Sequence, residues 1–484
     1  MNTLSSVKEQ SADVLIIGAG AAGLAAARDL GVAGRKVILL EARDRVGGRI
    51  LTYKDPSEAI PIELGAEFVH GRSPELWRIA QSAHLKLYEM GGRHLYFENC
   101  KLNRSVSFQA TIQDLNDRMK ASSADQSLKT FLSTLPDDEE TRRAKAIAIR
   151  YAEGFHAGRI DRIGIHGLIK ANEAADSIEG NKSFRFLNGY DSLVQALLAE
   201  AESHGATILL NTTVKEIRWR GDGVEAGCAH GKREGSIAAA RAIITLPLGV
   251  LQTTPDQPAN VRFVPELPPE KQSAIKNLEM GHVLRIVLTF RERFWEELKT
   301  WDEHHEPVKF VDAGFIHCPD MAIPTWWTQL PVRAPVLVGW VGGQNADRLS
   351  GSAITSRDVD DRTAGNRGHL AHTAGESIGS LLRDQAINSL AKLFDLSSEY
   401  IRDRLRATYF HDWQHDQFSR GAYAYVPVNG LDDQLVLSQS VNGVLFFAGE
   451  ATSIGHIGTV HGAIMSGQRA AREILARAWS RYQA

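Results

Sequence analysis

Val14-Leu15-Ile16-Ile17-Gly18-Ala19-Gly20-Ala21-Ala22-Gly23 is an apolar run that ends in three spaced glycines. Four consecutive apolar residues mark a strand buried on both faces of a parallel sheet. Ala21 to Leu30, rich in small residues, reads as a helix, and Lys36 to Leu40 as a second buried strand. The three glycines serve different ends. Gly18 makes the tight turn, Gly20 lets backbone approach a pyrophosphate, and Gly23 lets the helix pack closely on the sheet. The helix N-terminus then offers free N–H groups and a positive dipole end to phosphates.

The second strand ends at Glu41, about 20 residues on, where an acid accepts from ribose hydroxyls. Its charge repels a 2′-phosphate, so NADP is disfavoured. Glu41-Ala42-Arg43-Asp44-Arg45-Val46-Gly47-Gly48-Arg49 adds three arginines and a glycine pair. The glycines let main chain pass close to a ligand, and Arg49 can neutralise a pyrophosphate with two parallel hydrogen bonds.

Working outward, the 484 residues exceed one hydrophobic core, so about two domains are expected. The formal net charge of -3 gives no bulk attraction to nucleic acid or to an anionic membrane. Cys100, Cys228 and Cys318 lie far apart, which suits a reducing compartment. The short polar start lacks the apolar core of a signal peptide, and no run approaches the ~20 apolar residues of a membrane helix. The expectation is a cytoplasmic protein with neither nucleic-acid nor membrane partners. From about Pro74 to Ala175 the pattern is charged and mostly helical, for example over Leu115 to Ala121 and Glu139 to Tyr151. Asp191 to His204 reads as a helix. Thr207 to Leu210, Val214 to Trp219, Ala242 to Thr245 and Leu445 to Ala448 read as strands. Val283 to Phe290 and Val336 to Trp340 read as strands of a second sheet, and Leu382 to Phe394 as an amphipathic helix. The polar segment 350–376 is expected to be a mobile excursion.

Later blocks carry the remaining signals: Glu63-Leu64-Gly65-Ala66-Glu67-Phe68-Val69-His70-Gly71, Met280 to Arg285 running on to Trp295, and Ser419 to Tyr425 downstream of Trp413. The last are Phe447-Ala448-Gly449-Glu450-Ala451-Thr452 and Thr459-Val460-His461-Gly462-Ala463. With Val14 to Thr52, they resemble in order and spacing the flavin amine oxidase superfamily of monoamine oxidases, polyamine oxidases and lysine-specific histone demethylases. The C-terminal pair most resembles the demethylase and polyamine oxidase branch.

The resemblance implies an α/β fold with a discontinuous, Rossmann-like FAD-binding domain from residues 8–80, 205–265 and 395–484. An α+β substrate domain from 81–204 and 266–394 would be interleaved with it. It implies FAD contacts along Gly18, Gly20, Ala22 and Gly23, with Glu41 and Ala42 at the adenosine ribose. Arg43 and Arg49 would lie by the phosphates and Gly65 and Ala66 beside the isoalloxazine, with Gly48 and Glu67 among the other cofactor contacts. Val214 would meet the adenine by main chain. Gly449 and Glu450 would reach the ribityl-pyrophosphate. The helix opening at Thr459 and Val460 would point its N-terminus at the flavin carbonyls, stabilising negative charge on the reduced ring.

Four departures bear on chemistry. Ala422 stands where monoamine oxidases carry the cysteine that bonds the flavin, so FAD is expected to be non-covalent. Tyr423 matches one of two flavin-facing tyrosines, while Thr459 replaces the other, which halves the aromatic cage. Arg285 takes the place of a lysine near flavin N5. Arginine keeps the charge but cannot shed a proton, which implies slow oxygen reactivity or another acceptor. His70 replaces a carboxylate of some polyamine oxidases, which weakens the case for a polycation. Trp326, Trp327 and Trp340 are candidate cavity residues. His456 and His461 read as structural, with no third ligand at metal spacing, so no metal is expected.

Together these imply an FAD-dependent amine oxidase with a small amine substrate, with Arg285, Tyr423, Thr459, His70 and Trp413 in the reacting half. It would pass hydride from the carbon beside nitrogen to flavin N5 and return electrons to oxygen, giving H2O2. Two alternatives stay open: an FAD-dependent amino-acid oxidase or dehydrogenase using another acceptor, and an FAD-stabilised scaffold without turnover.

Overall fold

Strand Ser11–Ile17 pairs in parallel with Val37–Leu40 on one side and Arg233–Ile244 on the other. A computed structural model describes residues 11–98, 101–103, 108–302, 304–355 and 378–480. The eight-stranded sheet around this strand runs in the order Thr207–Leu209, Val37–Leu40, Ser11–Ile17, Arg233–Ile244, Gly223–His230, Thr213–Arg220, Arg262–Val264. The near-terminal strand Leu445–Phe447 also pairs in parallel with Arg233–Ile244, so both ends of the chain meet in one sheet.

The apolar runs are explained by burial on both faces. Val14, Ile16, Leu39 and Phe446 join one core cluster, while Leu15, Ile17, Leu40 and Phe447 join another across the sheet. On the first face the helices Ala21–Val32 and Val460–Ser480 cross closely. A methyl group on Gly467 would sit 2.1 Å from the Ala22 carbonyl oxygen.

A second sheet of seven strands runs Leu405–Phe410, Val283–Phe290, Val336–Gly342, Thr325–Trp327, Ala313–His317, Arg93–Glu98, Lys101–Asn103. Its first face buries Leu284, Ile286, Trp326 and Leu337 against the helix Ile378–Phe394. Its other face carries Arg285, Val287 and Trp327 toward the first sheet. The helices Phe108–Lys120, Leu128–Thr134, Glu139–Arg150 and Ile165–Asp176 enclose a separate small core.

Two expectations change. The stretch read as mostly helical also contains Arg93–Glu98, whose alternation of His94 and Tyr96 with buried Leu95 and Phe97 is that of a strand. The excursion expected at 350–376 starts inside the helix Gly343–Thr355, and residues 356–376 lie outside the described residues.

Candidate active site

One cleft of about 1860 Å³ runs between the two sheets. A pocket for a single small molecule holds about 300–1,000 Å³, so this one has room for a dinucleotide and a second molecule. Every cofactor and catalytic residue singled out in the sequence lines it except Gly23, which packs against Gly18 instead.

At one end, Gly18 has φ +108°, a left-handed conformation that favours glycine. A Cβ on Gly23 would lie 2.0 Å from the Gly18 carbonyl oxygen, whereas one on Gly20 would meet nothing within 4 Å. Gly20 thus opens onto empty cleft at the start of helix Ala21–Val32. Glu41, 6% exposed, accepts from the Ala19 N–H at 2.8 Å and the Arg43 N–H at 2.9 Å. Burial raises its carboxyl, against the pull of those donors.

The arginines that follow divide their work. Arg43 is held by Asp416 through two bonds of 2.9 and 2.8 Å and by Ser419 Oγ at 2.9 Å. Burial would raise Asp416, but the bonds from His411 and Arg43 outweigh it and hold the carboxyl low. Arg45 donates to the carbonyls of Val46, Gly48 and Ile50, fixing the glycine-pair loop. Arg49 bonds Glu450 Oε1 at 3.0 Å and the Ala422 carbonyl. Glu450 also accepts from the Gly458 N–H at 2.9 Å and the Ala424 N–H at 3.2 Å, tying three distant segments together. Val214 borders the cleft at a register shift in its strand.

The opposite end is walled by rings. Tyr423 packs on Gly458 and donates its hydroxyl to the Phe155 carbonyl at 2.7 Å. Trp340 Nε1 donates to the Gly154 carbonyl at 2.7 Å, and Trp413 Nε1 to the Leu64 carbonyl at 2.8 Å. The His70 ring meets Phe155 edge-on with centroids 5.1 Å apart, and burial pushes its pKa down to about 4. The imidazole is therefore neutral at pH 7. Thr459 Oγ1 accepts from the Gly462 N–H at 3.0 Å and so caps the last helix. Arg285, 5% exposed, is ion-paired with Glu67 and donates to the Gly65 carbonyl at 2.7 Å. Trp327 and Trp340 face the cleft, while Trp326 is fully buried on the other side of its sheet.

The model for a family described as flavin containing amine oxidoreductase matches residues 21–133 and 101–475. The chain belongs to that family. It is 27% identical over 495 residues to lysine-specific histone demethylase 1 homolog 3 of Oryza sativa subsp. japonica, covering 97% of this chain and 54% of that protein. It is also 27% identical over 504 residues to polyamine oxidase 2 of Arabidopsis thaliana, covering 98% of this chain and 90% of that one. The chain thus spans about half the length of the demethylase relatives. A putrescine oxidase structure with bound putrescine superposes with TM-score 0.73 at 21% identity, covering 96% of this chain and 99% of that one. Cyclohexylamine oxidase from Brevibacterium oxydans gives 0.72 at 20%, covering 97% and 99%. These two likenesses bear on the fold. No helix of the described residues is long and apolar enough to cross a membrane.

In this member of the family, sequence reasoning passed over several residues in and behind the cleft. Arg185 ion-pairs with Glu67 at 2.5 Å; its signal was a lone arginine between Phe184 and Phe186 in a buried strand. The π-turn Tyr151–Phe155 brings Glu153, Phe155 and His156 to the cleft. His94 and His317, 3.3 Å apart, complete the ring wall with Tyr96 and Phe315. Their pairing joins strands far apart in sequence, which no local pattern reveals.

Proposed function

We propose that this chain is an FAD-dependent amine oxidase that binds its cofactor without a covalent link. The observation that carries the reading is the continuity of one cleft from the open turn at Gly20 to the ring-walled chamber at Tyr423. The residues fit a flavin dinucleotide. Gly20 and Gly449 both turn empty space toward the cleft, and two helix N-termini border it. Glu41 would take the ribose, Arg49 and Glu450 the pyrophosphate and ribityl chain, and Gly65 and Ala66 the ring edge. At Ala422 there is no sulfur for a thioether.

When bound, the flavin supplies an electron sink that takes a hydride equivalent from the carbon beside the amine nitrogen, leaving an imine, and passes the electrons to oxygen or another acceptor. The protein's part is placement and exclusion of water. Tyr423, anchored through its hydroxyl, offers a ring face to the amine. Trp340 and Phe155 wall the chamber, and its rings would favour the neutral form of the amine nitrogen. The N-terminus of helix Val460–Ser480, capped by Thr459, stabilises negative charge on the ring.

Two features favour a small monoamine over an amino acid or a polycation. Arg285 is already engaged by Glu67 and the Gly65 carbonyl, so it is not free to receive a substrate carboxylate. His70 is neutral and offers no anion for a second ammonium at its own position, which leaves Glu153 as a carboxyl near the rings. Cys228 and Cys318 are both buried, in keeping with a reducing cytoplasm.

Anaerobic mixing of the flavin-loaded protein with monoamines, polyamines and amino acids tests the reading. Monoamines should bleach the flavin band fastest. Flavin that no amine bleaches would overturn it. Re-oxidation in air should be slow and should quicken in Arg285→Lys.

A further inference from the structure

We infer that Glu67, clamped between Arg185 and Arg285, is a positioning residue that sets the aim and net charge of Arg285 at the reacting edge of the flavin. The inference rests on the flavin-binding reading above. The three side chains are 3%, 4% and 5% exposed, Glu67 first, then Arg185 and Arg285. Glu67 Oε1 lies 2.5 Å from Arg185 Nη2, and Oε2 accepts from Arg285 Nη2. Trp327 Nε1 is 3.2 Å from both carboxylate oxygens. Arg185 is fixed from behind by the Thr328 carbonyl at 3.2 Å and Gln329 Oε1 at 3.0 Å, and its guanidinium sits over the Phe68 ring at 5.0 Å. Arg285 in turn donates to the Gly65 carbonyl at 2.7 Å. Glu67 therefore dictates where the Arg285 fork can point.

The charge count separates this cluster from an ordinary structural bridge. One buried arginine on one carboxylate balances; two arginines on one carboxylate leave a net positive charge out of water. Burial penalises such a charge unless an anion comes to meet it. A reduced flavin would be that anion, and Glu67 and Arg285 border the cleft beside Gly65 and Ala66, with Arg185 behind them. Glu63 is a further carboxyl facing Arg285. It is occupied by the Tyr190 N–H and the Thr52 hydroxyl, each at 2.7 Å, and burial pushes it up to about 7. The buried Nε atoms of Arg185 and Arg285 have no protein partner. Both residues border a void of about 40 Å³, enough for a water molecule.

The test is the equilibrium between oxidised and reduced flavin in the holoprotein, titrated with dithionite against a reference dye near pH 6, where Glu63 is protonated. Glu67→Gln leaves two uncompensated cations and should shift the equilibrium about tenfold toward reduced flavin. Arg185→Met leaves a neutral pair and should shift it about tenfold the other way. The double variant restores the count and should return to within about threefold of the parent. If Glu67→Gln does not fold, Arg185→Met alone decides. Single variants that lose thermal stability but keep the equilibrium within about twofold of the parent would show a merely structural bridge and overturn the inference. No amine enters this titration, so its failure is distinct from failure of the amine panel.

Discussion

Gly20 and Gly23 stand three residues apart in one motif, yet the structure gives them opposite roles. A Cβ at Gly23 would strike the Gly18 carbonyl, so Gly23→Ala should destabilise the fold by at least about 1–3 kcal/mol. A Cβ at Gly20 enters open cleft from an ordinary extended backbone. Gly20→Ala should therefore keep its melting temperature while losing at least about tenfold in flavin affinity, because the methyl group occupies the dinucleotide's place. Thermal melts beside flavin titrations separate the two, and a Gly20→Ala protein that binds flavin like the parent would refute the assignment. The glycine signals were legible in sequence because backbone geometry is local. The partners of Arg43 and Arg285 were not, since Asp416 and Glu67 lie 373 and 218 residues away.

Among the elements, legibility followed periodicity. The buried strand Val283–Phe290 emerged from the sequence with its bounds intact. Its facing did not, because Arg285 is flanked by apolar residues that serve two different cores. The π-turn Tyr151–Phe155 left no sequence mark, although its Gly154 and Phe155 carbonyls anchor Trp340 and Tyr423. Thr459 presents another case. In sequence it is the residue that replaces a tyrosine; in the structure it also caps the helix Val460–Ser480. Thr459→Ala should cost about 1 kcal/mol, while Thr459→Ser keeps the cap and the stability. Equal unfolding midpoints for the two variants would remove the capping role.

For the whole molecule, the sequence announced two sheets and a nucleotide-binding motif at one end of the chain. The way the two ends close on one strand follows from the pairing of Leu445–Phe447 with Arg233–Ile244. Burial around the cleft also shapes the response to pH. His70 and His156 are pushed down to about 4, and His317 and His461 to about 3, first of all by burial. These rings are neutral in the fold but take up protons in the unfolded chain below about 6.5. Unfolding therefore binds protons, and each ring removes up to about 1.4 kcal/mol of stability per pH unit as pH falls from about 6.5 toward 4. Glu63 and Glu153, lifted to about 7, act in the opposite sense, but the histidines outnumber them. Denaturant midpoints should thus fall between about pH 6.5 and 4.5; a protein more stable at pH 5 than at pH 7 would reverse the sign of this reasoning. The expectations for flavin affinity and turnover presuppose a dinucleotide seated between the ends of the chain. Acid denaturation of the purified protein, followed by mass analysis of what leaves and what stays, examines that seat. FAD should appear in the supernatant at one per chain, with the polypeptide at its unmodified mass. A colourless protein, or flavin that remains bonded to the chain, would contradict it.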